Sequence, residues 1–392
     1  MLKIQKLFFY YGVSLLLISG FYACSQGPAK DKDTNSVSEV KKQEVVKNYF
    51  YNNVSRFLGG IVPDTIAPFN SLIKKQQWIS YSKSFDTIWK KVEAKSLSKA
   101  RHWADTELAQ INKETKTLFY PFSGPDFLYA TTFFPNADKY ILFGLEKTGS
   151  VPNVNKLNDQ NMNGLFVAIN KALDEILNCS FFITKSMNTE LNNQEVDGVL
   201  PVILLFMGRT GQTVKEIKNA NIEANGKVTV ADTFITYKGP NRFSKGVEIT
   251  FSPAGKDSVI KKLYYFPEDF TDEALGKNPG CTTYLQNLDS NVTTLVKSAS
   301  YLMHGQIFSY IRNIVLKKSR YLLQDDSGIA YHFFDKTKWN IQLYGTYENP
   351  IPVFNYCYQA DIKAAYAKGS KTFDFKYGYG NGRNILLAKR IK

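Results

Sequence analysis

The sequence predicts an α/β or α+β protein built as two related halves, with helices ahead of the first and antiparallel hairpins between them. Three observations carry this. Slid so that Lys116 falls on Lys297, the stretch Lys116 to Leu142 lies without a gap on Lys297 to Leu323. Tyr120, Gly124, Phe127, Tyr129, Tyr140 and Leu142 then meet Tyr301, Gly305, Phe308, Tyr310, Tyr321 and Leu323. Each copy reads in the order strand, turn, helix, strand, and two such units with crossover helices suggest an α/β core. Between them, Val228-Val230, Val247-Ile249-Phe251 and Leu263-Tyr265 alternate, with turn pairs at Asn225-Gly226, Gly239-Pro240 and Ala254-Gly255, which predicts hairpins.

The first 23 residues read as a signal peptide. Lys3 and Lys6 form a basic start, and Leu7 to Ala23 is an apolar run that is short for a membrane span. The run Phe21-Tyr22-Ala23-Cys24-Ser25 resembles the lipobox of bacterial lipoproteins, in which a small residue precedes the cysteine. The resemblance implies that Cys24 becomes the lipidated first residue. It also implies, from Ser25, delivery to the outer membrane, with the membrane as a partner through the lipid anchor. Residues 24–39 are almost free of apolar side chains, too few to offset chain entropy, and read as a flexible tether.

Residues 40–211 make the first half. Val45, Val46, Tyr49 and Phe50 lead to a stop at Gly59-Gly60, and two further helices carry Phe85, Ile88, Trp89 and Val92, then Ala100, Trp103, Ala104, Leu108 and Ile111. Trp78, Trp89 and Trp103 offer faces on which a sugar would stack, but their helical spacing is that of core residues. In the first copy, Thr117 to Phe122 is a β-prone run. Ser123 or Gly124 is expected to cap the following helix, with Pro125 at its first position and Asp126 at the positive end of its dipole. Lys139 to Leu145 reads as a buried strand. A helix follows through Leu165, Ile169, Ala172, Leu173 and Ile176, then the apolar run Val199 to Met207. Its end, Gly208-Arg209-Thr210-Gly211, lacks the lysine and spacing of a phosphate loop and reads as a helix terminus.

Residues 212–392 form the second half, beginning with the hairpins. A helix around Tyr284 to Leu288 leads into the second copy, whose helix carries Phe308, Ile311, Ile314 and Val315. An insertion, Gln324 to Leu343, follows. Phe354, Ile362 and Tyr366 mark another helix, Phe373, Phe375 and Tyr377 alternate, and Ile385 to Ala388 is strand-like.

Composition excludes several function classes. The net charge is +14, but few of the basic residues are arginine, the residue that recognises phosphates and bases bidentately, so nucleic acid is not an expected partner. The three histidines and the widely spaced Cys179, Cys281 and Cys357 offer no zinc pattern; no cofactor motif is present, and buried structural thiols are expected.

Open α/β sheets bind ligands where strands give way to helices. Here those points are Ser123-Gly124-Pro125-Asp126 and His304-Gly305, with Asp325 and Asp326 just beyond the second copy's last strand. Serine, histidine and carboxylate are the set for acyl transfer, with Ser123 as nucleophile, His304 as base and Asp325 or Asp326 orienting it. Against this, Ser123 and Asp126 are explained as helix caps, Asp325-Asp326-Ser327-Gly328 as a turn, and no GxSxG elbow surrounds Ser123. The expectation is a non-enzymatic envelope lipoprotein that binds or scaffolds a glycan or protein. The alternative is a serine-type hydrolase acting on an envelope ester or amide.

Overall fold

The computed structural model describes residues 50–64, 66–183, 187, 189–192, 196–233, 244–379 and 383–391. Cys24, the tether and the Gly239-Pro240 turn lie outside them. Glu44–Lys392 forms one compact unit.

Helices come first. The described part of α1, 50–58, buries Val54, Phe57 and Leu58 and stops at Gly59-Gly60. Its terminal carbonyls are not left bare: Trp78 Nε1 donates to the Phe57 carbonyl at 3.2 Å and Tyr81 hydroxyl to that of Leu58 at 2.5 Å. Both donors sit on α2 (Gln76–Val92), which passes through a π turn, Glu93–Leu97, into α3 (Ser98–Glu107) and α4 (Ala109–Glu114). Trp78, Trp89 and Trp103 are all buried, so these three form no sugar platform.

The chain then enters the middle of the sheet as β1 (Thr117–Tyr120), crosses through α5 (Phe127–Phe133), and returns as β2 (Lys139–Gly144). After α6 (Asp159–Cys179) and α7 (Leu200–Arg209) come β3 (Gln212–Ile222), β4 (Val228–Ala231), β5 (Ser244–Pro253) and β6 (Lys261–Pro267). Short helices α8 (Asp272–Gly276) and α9 (Pro279–Gln286) precede β7 (Val292–Val296), α10 (Ser309–Lys318) and β8 (Ser319–Gln324). Last are β9 (Trp339–Gly345), α11 (Ala360–Ala367) and β10 (Asn384–Arg390).

All ten strands join one mixed sheet in the order β4-β3-β5-β6-β2-β1-β7-β8-β10-β9. The hairpin block is thus part of the same sheet as both halves, because β6 lies parallel to β2. The five central strands, β6 to β8, run parallel, and the flanks are antiparallel. Parallel strands are covered on both faces, which explains why β2 and β7 are apolar or buried along nearly their whole length.

Two cores lie on opposite faces. Leu118, Tyr120 and Leu142 pack with α5, α6 and α7 on one; Phe119, Ile141 and Val296 pack with α9, α10 and α11 on the other. Hence α5 and α10 cover different faces, and the chain leaves β1 and β7 in opposite directions. This is a topological switch point, and its carboxyl side is the place where open α/β sheets hold ligands.

The two stretches differ in order: Lys116 to Leu142 runs strand, helix, strand, whereas Lys297 to Leu323 opens with turns and runs only helix, strand, because its preceding strand lies ahead of it. Thr117–Tyr120 slides onto Ser298–Tyr301, whereas the strand is Val292–Val296. The β-branched run Val292-Thr293-Thr294 fits the buried pleat, with Thr293 bonded to Thr115 and Thr294 to Ser319 through their hydroxyls. Ser298, Ser300 and Tyr301 instead take positive φ. The Phe373, Phe375, Tyr377 alternation makes no named strand; Phe375 and Tyr377 insert side by side against Phe133.

Candidate functional site

A cavity of about 630 Å³ opens at the carboxyl ends of β1, β2, β6 and β7. Its walls are apolar: Phe122, Phe143, Phe181, Phe270, Phe354 and Leu302 are among them. The polar groups come from the strand ends, Ser123 and Asp126 after β1, Glu146 after β2, Glu268 after β6, and Lys297 to Ser300 after β7.

Asp126 and Lys297 join the two sides of the switch point. Their side chains are 2% exposed each, and Lys297 Nζ lies 3.0 Å from Asp126 Oδ2. The same Oδ2 accepts the Tyr120 hydroxyl at 2.9 Å, while Oδ1 accepts the Tyr129 backbone N–H at 3.0 Å. Asp126, not Ser123 or Gly124, is therefore the N-cap of α5. Lys297 also donates to the Ser180 carbonyl and lies 4.5 Å from the centre of the Tyr129 ring. A buried ammonium with a carboxylate, a carbonyl and an aromatic face around it is fully used, and removing one partner strands a charge.

The backbone here is held in unusual shapes. Every non-glycine residue with positive φ among those described, Phe122, Ser180, Ser298, Ser300 and Tyr301, lines the cavity or adjoins a residue that does. Such conformations persist only where surroundings over-determine them, and they cluster at functional sites. The surroundings are visible. Asp325 Oδ2 accepts the Ser298 N–H at 3.1 Å, Ser327 Oγ accepts the Ala299 N–H at 2.8 Å, and the Tyr379 hydroxyl accepts the Ser300 N–H at 3.0 Å. At Gly144, a Cβ would come within 2.8 Å of Gly124 Cα and 2.6 Å of Glu146 Oε2, so only glycine permits the β1 and β2 turns to close together.

Of the residues named for the alternative, acyl transfer, Ser123 and His304 are divided between two cavities. Ser123 lines the cavity, yet its Oγ donates to the Phe143 carbonyl at 2.9 Å, tying the β1 turn to β2. His304 lines a neighbouring cavity of about 670 Å³ that shares Ser300 and Leu302 with the first. Burial lowers its pKa to about 4, and its Nε2 has no hydrogen-bond partner among the described residues. No hydrogen bond among the described residues links it to Ser123 or to an aspartate carboxylate.

Asp325 and Asp326 brace the β7 turn. Ser327 Oγ donates to Asp325 Oδ1 at 2.5 Å. The Tyr301 hydroxyl donates to Asp326 Oδ2 at 2.6 Å and Asn384 Nδ2 to its Oδ1 at 2.9 Å. Burial, then the neighbouring Asp326 charge, pushes the Asp325 carboxyl up to about 7; burial raises Asp326 as well. The Asp126–Lys297 pair escaped the sequence reading because the repeat alignment set Lys297 at a strand start. The readable signal was an apolar β-branched run closed by a lysine.

An apolar collar surrounds both mouths. Leu145, Ile183 and Val353 (75% exposed) border the switch-point cavity, and Ile307, Tyr356 (81%) and Tyr358 border the other. Among the described residues no cluster of three metal-ligating side chains occurs, and no helix is long and apolar enough to cross a membrane. Of the three described thiols only Cys281 is buried; Cys179 is exposed and Cys357 half-buried. Compared with the models of known protein families, with curated proteins and with solved structures, the chain matches none.

Proposed function

We propose that this chain is a cell-envelope lipoprotein, attached to the outer membrane through a lipid on Cys24, whose body binds an apolar small molecule without transforming it. One observation carries the reading. A cavity of about 630 Å³ with aromatic and aliphatic walls sits at the topological switch point, within the roughly 300–1,000 Å³ of small-molecule sites. Its few polar groups gather at the strand ends, which suits a ligand with an apolar body and one hydrogen-bonding end. The exposed collar of Leu145, Ile183 and Val353 suits a ligand that arrives from an apolar phase.

Acyl transfer draws no support from this geometry. The Ser123 hydroxyl is turned to the Phe143 carbonyl, and His304 lines the other cavity. A glycan is not the ligand proposed either, since Trp78, Trp89 and Trp103 are in the core.

Titration with a neutral solvatochromic dye tests the reading. Saturable one-to-one binding is expected, lost when Leu302→Trp fills the cavity while circular dichroism is unchanged. Absence of saturable binding, or undiminished binding by the variant, would overturn it.

A further inference from the structure

Away from the crevice, a groove of about 590 Å³ opens where α2 passes through the π turn into α3. Three lysines line it: Lys91 at the end of α2, Lys95 in the π turn, and Lys376 from the stretch before β10. No described carboxylate does. Of the acids near it in sequence, Asp86 is held by Lys90 and Arg209, Glu93 by Arg101 and Asp374 by Lys99, while Asp174 accepts a hydrogen bond from the groove-lining Asn178 side chain at 2.9 Å. Lys91 and Lys95 form no ion pair among the described residues, and Lys376 Nζ donates to the Asn178 carbonyl at 2.7 Å.

The wall adds a second observation. Ser96, in the π turn and 7% exposed, and Tyr129 both line the groove, and their hydroxyls interact at its wall. Single π turns inside α-helices re-aim side chains and recur at functional sites. Ile88, Val92 and Leu177 supply an apolar flank beside the ammonium groups.

We propose that this groove binds a phosphate-bearing anion. Lysines act on phosphate as point charges, and three of them around one groove with no carboxylate in its lining suit the several charged oxygens of a phosphate monoester or diester. The hydroxyls at the wall add hydrogen-bonding groups, and the apolar flank accommodates a short carbon substituent. The phosphate belongs either to a soluble monoester or to a lipid headgroup, and the test separates these.

The body, 44–392, is one compact unit and serves as the test protein. Calorimetric titration with glycerol phosphate is set beside sedimentation with vesicles of phosphatidylglycerol and of phosphatidylcholine. The variant Lys91→Gln/Lys95→Gln/Lys376→Gln is compared with a control of equal charge, Lys83→Gln/Lys113→Gln/Lys256→Gln. Binding of glycerol phosphate that weakens about tenfold in the first variant only supports a soluble phosphate site. Binding to phosphatidylglycerol vesicles alone, with the same dependence on the three lysines, supports a headgroup site. In both cases binding fades as salt shortens the screening length. No binding to either probe, or equal weakening in both variants, would overturn the proposal.

Discussion

Lys297→Met removes the ammonium but keeps the unbranched apolar stem, so it isolates the charge at the crevice floor. Both members of the pair are 2% exposed, so solvent screens the interaction little. Asp126 would keep the Tyr120 hydroxyl and Tyr129 N–H but lose the buried cation it pairs with. Breaking such a pair by removing one partner costs about 3–5 kcal/mol, a large part of a typical total of about 5–15 kcal/mol. Adding Asp126→Asn should restore much of this, because asparagine still caps α5 and no unpaired charge remains. Urea unfolding followed by tryptophan fluorescence gives each free energy by linear extrapolation. The expected coupling between the two sites is about 2–3 kcal/mol. If Lys297→Met costs less than about 1 kcal/mol, or the double variant costs the sum of the singles, the pair does not hold the two sides of the switch point together.

Other outcomes follow from the same geometry. Asp325 is raised in the folded state from 3.8 to about 7, so its stabilising contribution is full below the lower value and is lost as pH rises through the upper; Asp325→Asn should flatten that part of a stability–pH curve. His304 is lowered from 6.5 to about 4, so the folded state resists its protonation and its contribution disappears as pH falls between them; His304→Gln should remove a slope of opposite sign. Unchanged slopes in urea midpoints from pH 4 to 8 would contradict both assignments. Ser123→Ala should cost about 1 kcal/mol, the worth of one hydrogen bond, and a fluorophosphonate should leave no adduct on Ser123 by mass spectrometry. Cys24→Ala should release the protein from the membrane fraction of cells, and retention there would count against lipidation.

Much of the fold was legible because it is written in short-range pattern. The helical start, the first strand–helix–strand unit and the hairpins each follow from local period and turn residues, whereas the strand Val292–Val296 was not read from them. The merging of the hairpin block into one sheet did not show, since the parallel pairing of Leu142 with Tyr265 joins residues far apart in the chain. The site was legible in position and not in content. Strand ends were expected to carry it, and Ser123 and Asp126 do line the cavity. What Ser123 does there depends on the Phe143 carbonyl twenty residues on. Lys297 meets Asp126 only because β7 lies beside β1, a neighbour relation that no local pattern encodes.

The order in which strands become available differs sharply from the order in which they sit. β1 waits for β7, and β9 has as its sheet neighbour only β10, which follows every other strand in the chain. A growing polypeptide holding everything up to β9 therefore leaves the edge of β8 unpaired and β9 without a place in the sheet. Topology of this kind makes folding slow and late, because the loop entropy of distant pairings must be met before they reward the chain. If the chain is exported unfolded, as proposed for a lipoprotein, that delay is useful, because the arrangement of the sheet itself disfavours premature closure.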